Sequence, residues 1–151
     1  MKNSKTIVGQ WYGIFNYGPE YGPGLEGENV IFSFLIHELP NGQFKGKCIE
    51  FGGIGASDEI SIIQGFIEDD FISFTKEYQT YTSFDENYNE VPYTGPLPPR
   101  ISYRGNYDPT NNTYKGTWEL WSNEESYGYG TFVDVTTGIW EMGRDSASYG
   151  L

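Results

Sequence analysis

Between Gly9 and Tyr17 every second residue is a glycine or an aromatic: Gly9, Trp11, Gly13, Phe15, Tyr17. A strand turns successive side chains to opposite faces, so this spacing gives one face that is bulky at some positions and empty at others. The pattern returns at Tyr114, Gly116, Trp118 and Leu120, which oppose Lys115, Thr117 and Glu119, and again at Gly138, Trp140 and Met142, which oppose Ile139 and Glu141. Small barrels alternate small and large residues inside to fit their curvature, and glycine permits the bend that closure needs. The expected fold is all-β: a single antiparallel up-and-down β-barrel of eight or nine strands, with a β-sandwich as the alternative.

No window sustains the i, i+3, i+4, i+7 pattern of an amphipathic helix. Strands are expected near 6–17, 29–38, 43–51, 58–67, 70–79, 99–107, 112–121, 126–134 and 137–144, within one domain spanning 1–151. Pro40-Asn41-Gly42, Glu68-Asp69-Asp70 and Asp108-Pro109-Thr110-Asn111-Asn112 supply the residues that fix φ or accept a left-handed backbone, and so read as turns. Two connections are longer. Gly18 to Asn29 opens with a near repeat that borrows Tyr17, Tyr17-Gly18-Pro19-Glu20 and Tyr21-Gly22-Pro23-Gly24, and is too rich in Gly and Pro to hold a ladder. Gln79 to Pro99 carries Tyr81, Phe84, Tyr88, Tyr93 and four prolines, and is expected to be a lid or binding loop, with a packed Ω-loop or a disordered insertion as the alternative.

The same parity sends polar groups inward. Lys76 and Tyr78 share a face with Ile72 and Phe74, Glu50 shares one with Phe44, Gly46 and Cys48, and Tyr103 shares one with Ile101 and Gly105. A buried charge must be paired, so Glu50 and Lys76 are expected to face each other, unless parity fails at the strand ends and they reach solvent. Val30 to Ile36 and Ile60 to Ile67 are apolar on much of both faces; a chain terminus or a second copy in a homodimer would cover them.

A net charge of −12 argues against nucleic acid and anionic membranes as partners, since both select Lys and Arg. An aromatic share of 18% excludes a disordered acidic tail. The apolar stretch after Lys5 is broken by Gly9 and Gln10 before it reaches signal-peptide length, and Cys48 is the single cysteine, so a cytoplasmic location is expected. His37 is the single histidine, which leaves no Ser-His-Asp set and no usual zinc ligand set. No phosphate-cradling or dinucleotide-binding glycine motif is present. Neither a catalytic set, a metal nor a cofactor is therefore expected.

Gly9-Gln10-Trp11 on the first strand, with Arg144 at the end of the last, resembles the closure device of the calycin superfamily, the lipocalin-like and avidin-like barrels. There a Trp of a G-x-W motif sits at the closed end and an Arg packs across it, which implies structural closure by Trp11 and Arg144. Gly116-Thr117-Trp118 and Gly138-Ile139-Trp140 carry the same short motif, and the second characteristic lipocalin motif is missing. The resemblance implies a ligand-holding barrel. A small, largely apolar ligand is the expected partner, with Glu50, Lys76, Tyr78, Tyr103 and Trp118 as binding residues. Two alternatives stand beside it: a carbohydrate-binding or interaction module using Trp121, Tyr127 and Tyr129, and a barrel-type isomerase or lyase with Glu50 as acid/base.

Overall fold

A computed structural model describes residues 6–19, 26–53, 59–78, 82–84, 87, 90–92, 100–127 and 130–151, with side chains for all of these except 82–84, 90–92 and 121–136. Its strands are β1 (Gly9–Asn16), β2 (Asn29–Glu38), β3 (Gln43–Gly52), β4 (Ser61–Glu68), β5 (Phe71–Tyr78), β6 (Thr82–Phe84), β7 (Glu90–Pro92), β8 (Arg100–Asp108), β9 (Thr113–Tyr127) and β10 (Gly130–Gly143). Eight of them close an antiparallel barrel in the order β1-β10-β9-β8-β5-β4-β3-β2. Closure removes the sandwich alternative, because β1 pairs both with β2, through Trp11 and Phe34, and with β10, through Phe15 and Trp140.

The strands depart from the sequence reading in two places. The expected strands at 112–121, 126–134 and 137–144 are two long ones, β9 and β10, which pair from Thr113 with Gly143 out to Tyr127 with Gly130. Ser122-Asn123-Glu124-Glu125 reads as a break, yet β8 leaves β9 at Leu120, and past that point a two-stranded ribbon has no core face to demand apolar residues. A register shift between Phe132 and Asp134 re-aims the ribbon. Within 79–99, expected to be loop throughout, β6 and β7 form an antiparallel pair, Thr82 with Pro92 and Phe84 with Glu90.

Short turns join β2 to β3, β4 to β5 and β8 to β9 at one end, with Asn41, Asp69 and Asn112 taking positive φ where the turns reverse. The longer connections after β1, β3 and β5 all emerge at the other end. At the short-turn end, the Arg144 guanidinium lies 3.9 Å from the Trp11 ring centre. It donates to the carbonyls of Gln10 (2.8 Å), Thr6 (2.7 Å) and Val8 (2.9 Å), and the Trp11 indole donates to that of Ile7 (2.8 Å). The closure expected of Trp11 and Arg144 is thus present as a cation–π stack that also ties the entering chain to the last strand.

The interior follows the alternation. Trp11, Phe15, Phe32, Phe34, Phe44, Phe74, Tyr103, Tyr114, Trp118, Trp140 and Met142 are all buried. Phe74 stacks on Tyr103 with centroids 4.7 Å apart. Gly105 and Gly116 face each other across β8 and β9, and a Cβ on Gly116 would overlap the Arg104 carbonyl. Their emptiness lets the Trp140 indole lie on the sheet and donate to the carbonyls of Arg104 and Thr117, each 3.1 Å away. On the outer surface, Leu35 of β2 with Ile49 and Phe51 of β3 remain 46–53% exposed, part of the two-faced apolar character read from the sequence of β2.

Candidate functional site

β3, β4 and β5 are neighbours, and their inward residues near the long-loop end converge. Glu50 comes from β3, Ser61 from the start of β4, and Lys76 and Tyr78 from the end of β5. Lys76 Nζ lies 3.2 Å from Glu50 Oε2, each side chain 1% exposed, and the Tyr78 hydroxyl donates to the same oxygen at 2.6 Å. The Lys76 ammonium also sits 4.4 Å from the Phe15 ring centre and 5.4 Å from that of Tyr103. Parity therefore holds to the ends of these strands. The pair expected from it is present, and Tyr78 and Tyr103 join it.

Trp118, the fifth residue of the set, is buried beside Phe15 and Tyr17, at centroid distances of 6.0 and 6.3 Å, and its indole donates to the Asn16 carbonyl at 2.8 Å. It lines the aromatic wall with Phe15 and Tyr17. Trp121, Tyr127 and Tyr129, the alternative platform, have side chains outside the described residues.

The protons in this cluster are held tightly. Burial pushes the Cys48 thiol from 9.0 up to about 12, outweighing the opposing pull of Lys76. Burial likewise raises Tyr103 from 10.0 to about 12 and raises Tyr78 further. For Lys76, burial alone would lower the pKa, but Tyr103, Tyr78, Glu50 and Cys48 surround it, and it ends well above 10.5. At neutral pH the site therefore offers a charged ammonium, a neutral thiol and neutral phenols, with no thiolate, phenolate or free amine to attack a substrate.

These shifts set an alkaline limit on the fold. Each native group keeps a proton that the unfolded chain surrenders earlier, so its contribution is complete below the unfolded pKa and is lost as pH rises toward the folded one. Denaturant stability is expected to decline between about pH 9 and pH 12, by up to about 1.4 kcal/mol per pH unit for each group. Tyr103→Phe is expected to flatten the fall; an unchanged midpoint across that range in the parent protein would contradict the assignment.

Sequence reasoning passed over Ser61. Its side chain is buried, residue exposure 1%, and its hydroxyl is set against the Cys48 thiol, whose pKa it pulls down. It pairs across the sheet with Cys48 on one side and Tyr78 on the other, which puts it between the strand bearing Glu50 and the strand bearing Lys76. The signal was available: Ser61 shares an inward parity with Ile63 and Gly65.

No protein-family model and no curated protein matches the chain. Among solved structures it is similar to a rhizavidin–biotin complex, at 13% identity and a TM-score of 0.47 over 93% of this chain and 95% of that one. It is also similar to rhizavidin alone, at 13% identity and a TM-score of 0.45 over 89% of this chain and 84% of that one. The fold is an eight-stranded antiparallel meander closed on itself, with a first-strand Trp beneath an Arg from the end of the last strand.

Proposed function

We propose that this barrel holds a small, largely apolar molecule at its long-loop end. Phe15, Tyr17 and Trp118 form the aromatic wall, and Glu50, Lys76, Tyr78 and Tyr103 form the polar anchor. The observation that carries the reading is the ion pair itself. Replacing a buried ion pair by apolar residues of similar volume is often neutral or stabilising by about 1–4 kcal/mol, so this pair is poorly explained as a device for stability. At the end of the barrel where the long connections emerge, it supplies fixed, oriented polar groups inside an aromatic container, the composition of a small-molecule site.

The proton states favour holding over transforming. Glu50 accepts from both Lys76 and Tyr78, and the remaining groups keep their protons at neutral pH. The test is native mass spectrometry of the freshly purified protein, followed by thermal shift across fatty acids, pterins, haem and biotin. A retained mass, or a rise in Tm that grows with ligand concentration, is expected; ligand at one hundred times Kd adds about 2.7 kcal/mol. No retained mass and no shift across the panel would reject the reading.

A further inference from the structure

We propose that the outer face of β3, β4 and β5, towards the short-turn end of the barrel, binds a neutral oligosaccharide. An open cleft of about 630 Å³ lies there, inside the range of about 300–1,000 Å³ that small-molecule sites occupy. The ladder sets Gln43, Phe66 and Ser73 side by side across it and Gln64 beside Thr75, while Asn41 and Glu68 border it at the turns. Gly65 and the inward-turned Phe74 meet it through their backbone, and a Cβ on Gly65 would overlap the Ser73 carbonyl, so β4 and β5 approach closely beneath it. Phe66 stands 41% exposed, with the Phe71 ring centre 6.1 Å from its own. From β3 to β5 the cleft crosses two strand spacings, about 9–10 Å, which is more than one sugar ring.

The lining selects the class of ligand. Lys45 neighbours Gln64 on β3 but does not line the cleft, so an anion finds no counter-charge within it. A cation would find a single exposed carboxylate, Glu68, whose charge water screens. A wholly apolar molecule would strip water from amides and hydroxyls and return no hydrogen bond. A sugar answers each group in kind. Its hydroxyls donate and accept, as do the Asn41, Gln43 and Gln64 amides and the Ser73 hydroxyl; Glu68 can take two hydroxyl donors; and a C–H face of the sugar packs on the electron-rich face of Phe66. Among the described residues no hydrogen bond or ion pair engages the Gln43, Gln64, Glu68 or Ser73 side chains, whereas Thr75 Oγ1 gives to the Gln64 carbonyl at 3.4 Å. The cleft lies outside the barrel and away from Glu50 and Lys76, so it stands independently of the interior reading.

The experiment applies the labelled full chain to an array of neutral and acidic glycans, with Phe66→Leu, Phe66→Tyr and Gln64→Ala beside the parent. The parent is expected to retain neutral glycans and to leave sialylated and uronate-bearing ones unbound. Phe66→Leu keeps apolar bulk but loses the ring face, and should weaken the neutral signal about fivefold, while Phe66→Tyr keeps the face and the signal. Gln64→Ala should weaken it about three- to tenfold, through lost hydrogen bonds. All three variants should keep the parent's urea midpoint, because the changes are at exposed positions. A Phe66 with a purely structural role would instead shift that midpoint and leave the glycan signal unchanged. Silence of the array, a preference for acidic glycans, or a neutral signal that survives both Phe66→Leu and Gln64→Ala overturns the proposal. None of these outcomes touches the interior reading, which stands or falls on retained mass and the thermal shifts.

Discussion

Lys76→Met should destabilise the barrel by about 3–5 kcal/mol, because it removes one partner of a buried ion pair and strands the other. The change conserves volume and apolar contact, so packing alone accounts for little of the loss. Glu50→Leu added to Lys76→Met should restore most of it, since no charge is then left inside. A remainder of about 1–3 kcal/mol is expected from the Tyr78 hydroxyl, which loses its acceptor, and Tyr78→Phe should remove that remainder. Urea denaturation of the single, double and triple variants at pH 7 gives the series. If Lys76→Met were as stable as the parent, the ammonium and carboxylate would not be the buried pair described here.

Trp11→Ala is expected to cost about 3–5 kcal/mol, the range for truncating a large buried aromatic, and to act on both termini at once. The indole carries the Arg144 guanidinium on its face, meets Tyr114 edge-on at 5.5 Å, and holds the Ile7 carbonyl. Arg144→Ala should cost less. Its cation–π contact is worth about 0.5–2 kcal/mol, and the carbonyls it leaves lie where water can reach them. Arg144→Lys should not recover the loss, because an ammonium cannot present the planar fork that spans Gln10, Thr6 and Val8. Guanidinium denaturation ranks the three, and an Arg144→Ala loss larger than that of Trp11→Ala would reverse the argument.

The parts of this molecule that were legible in its sequence are those governed by a local rule. Period-two alternation placed Trp11, Phe15, Phe44, Phe74, Trp118 and Trp140 indoors, and the same rule brought Glu50 and Lys76 face to face from strands 26 residues apart. What stayed hidden depends on neighbours. Ser122 to Glu125 looks like a turn until β8 is seen to stop short of it. The β6–β7 pair is too short to announce itself and forms because its ends are brought together. Trp118 looked like a wall residue from its parity, but its bond to Asn16 spans 102 positions, and no local pattern encodes it. Ser61 was passed over for a different reason: alternation says which way a side chain points, and whether that side chain then finds a partner is a property of the assembled barrel.

The tethered indoles have a practical consequence. Trp11 is held at the capped end by Ile7 and Arg144, Trp118 near the long loops by Asn16, and Trp140 between them against Phe74 and Tyr103. Each is a fluorophore in a dry, fixed setting, and each sits at a different height in the barrel. Variants retaining one of them at a time would turn the protein's own emission into a depth gauge, separating loosening of the rim from opening of the base.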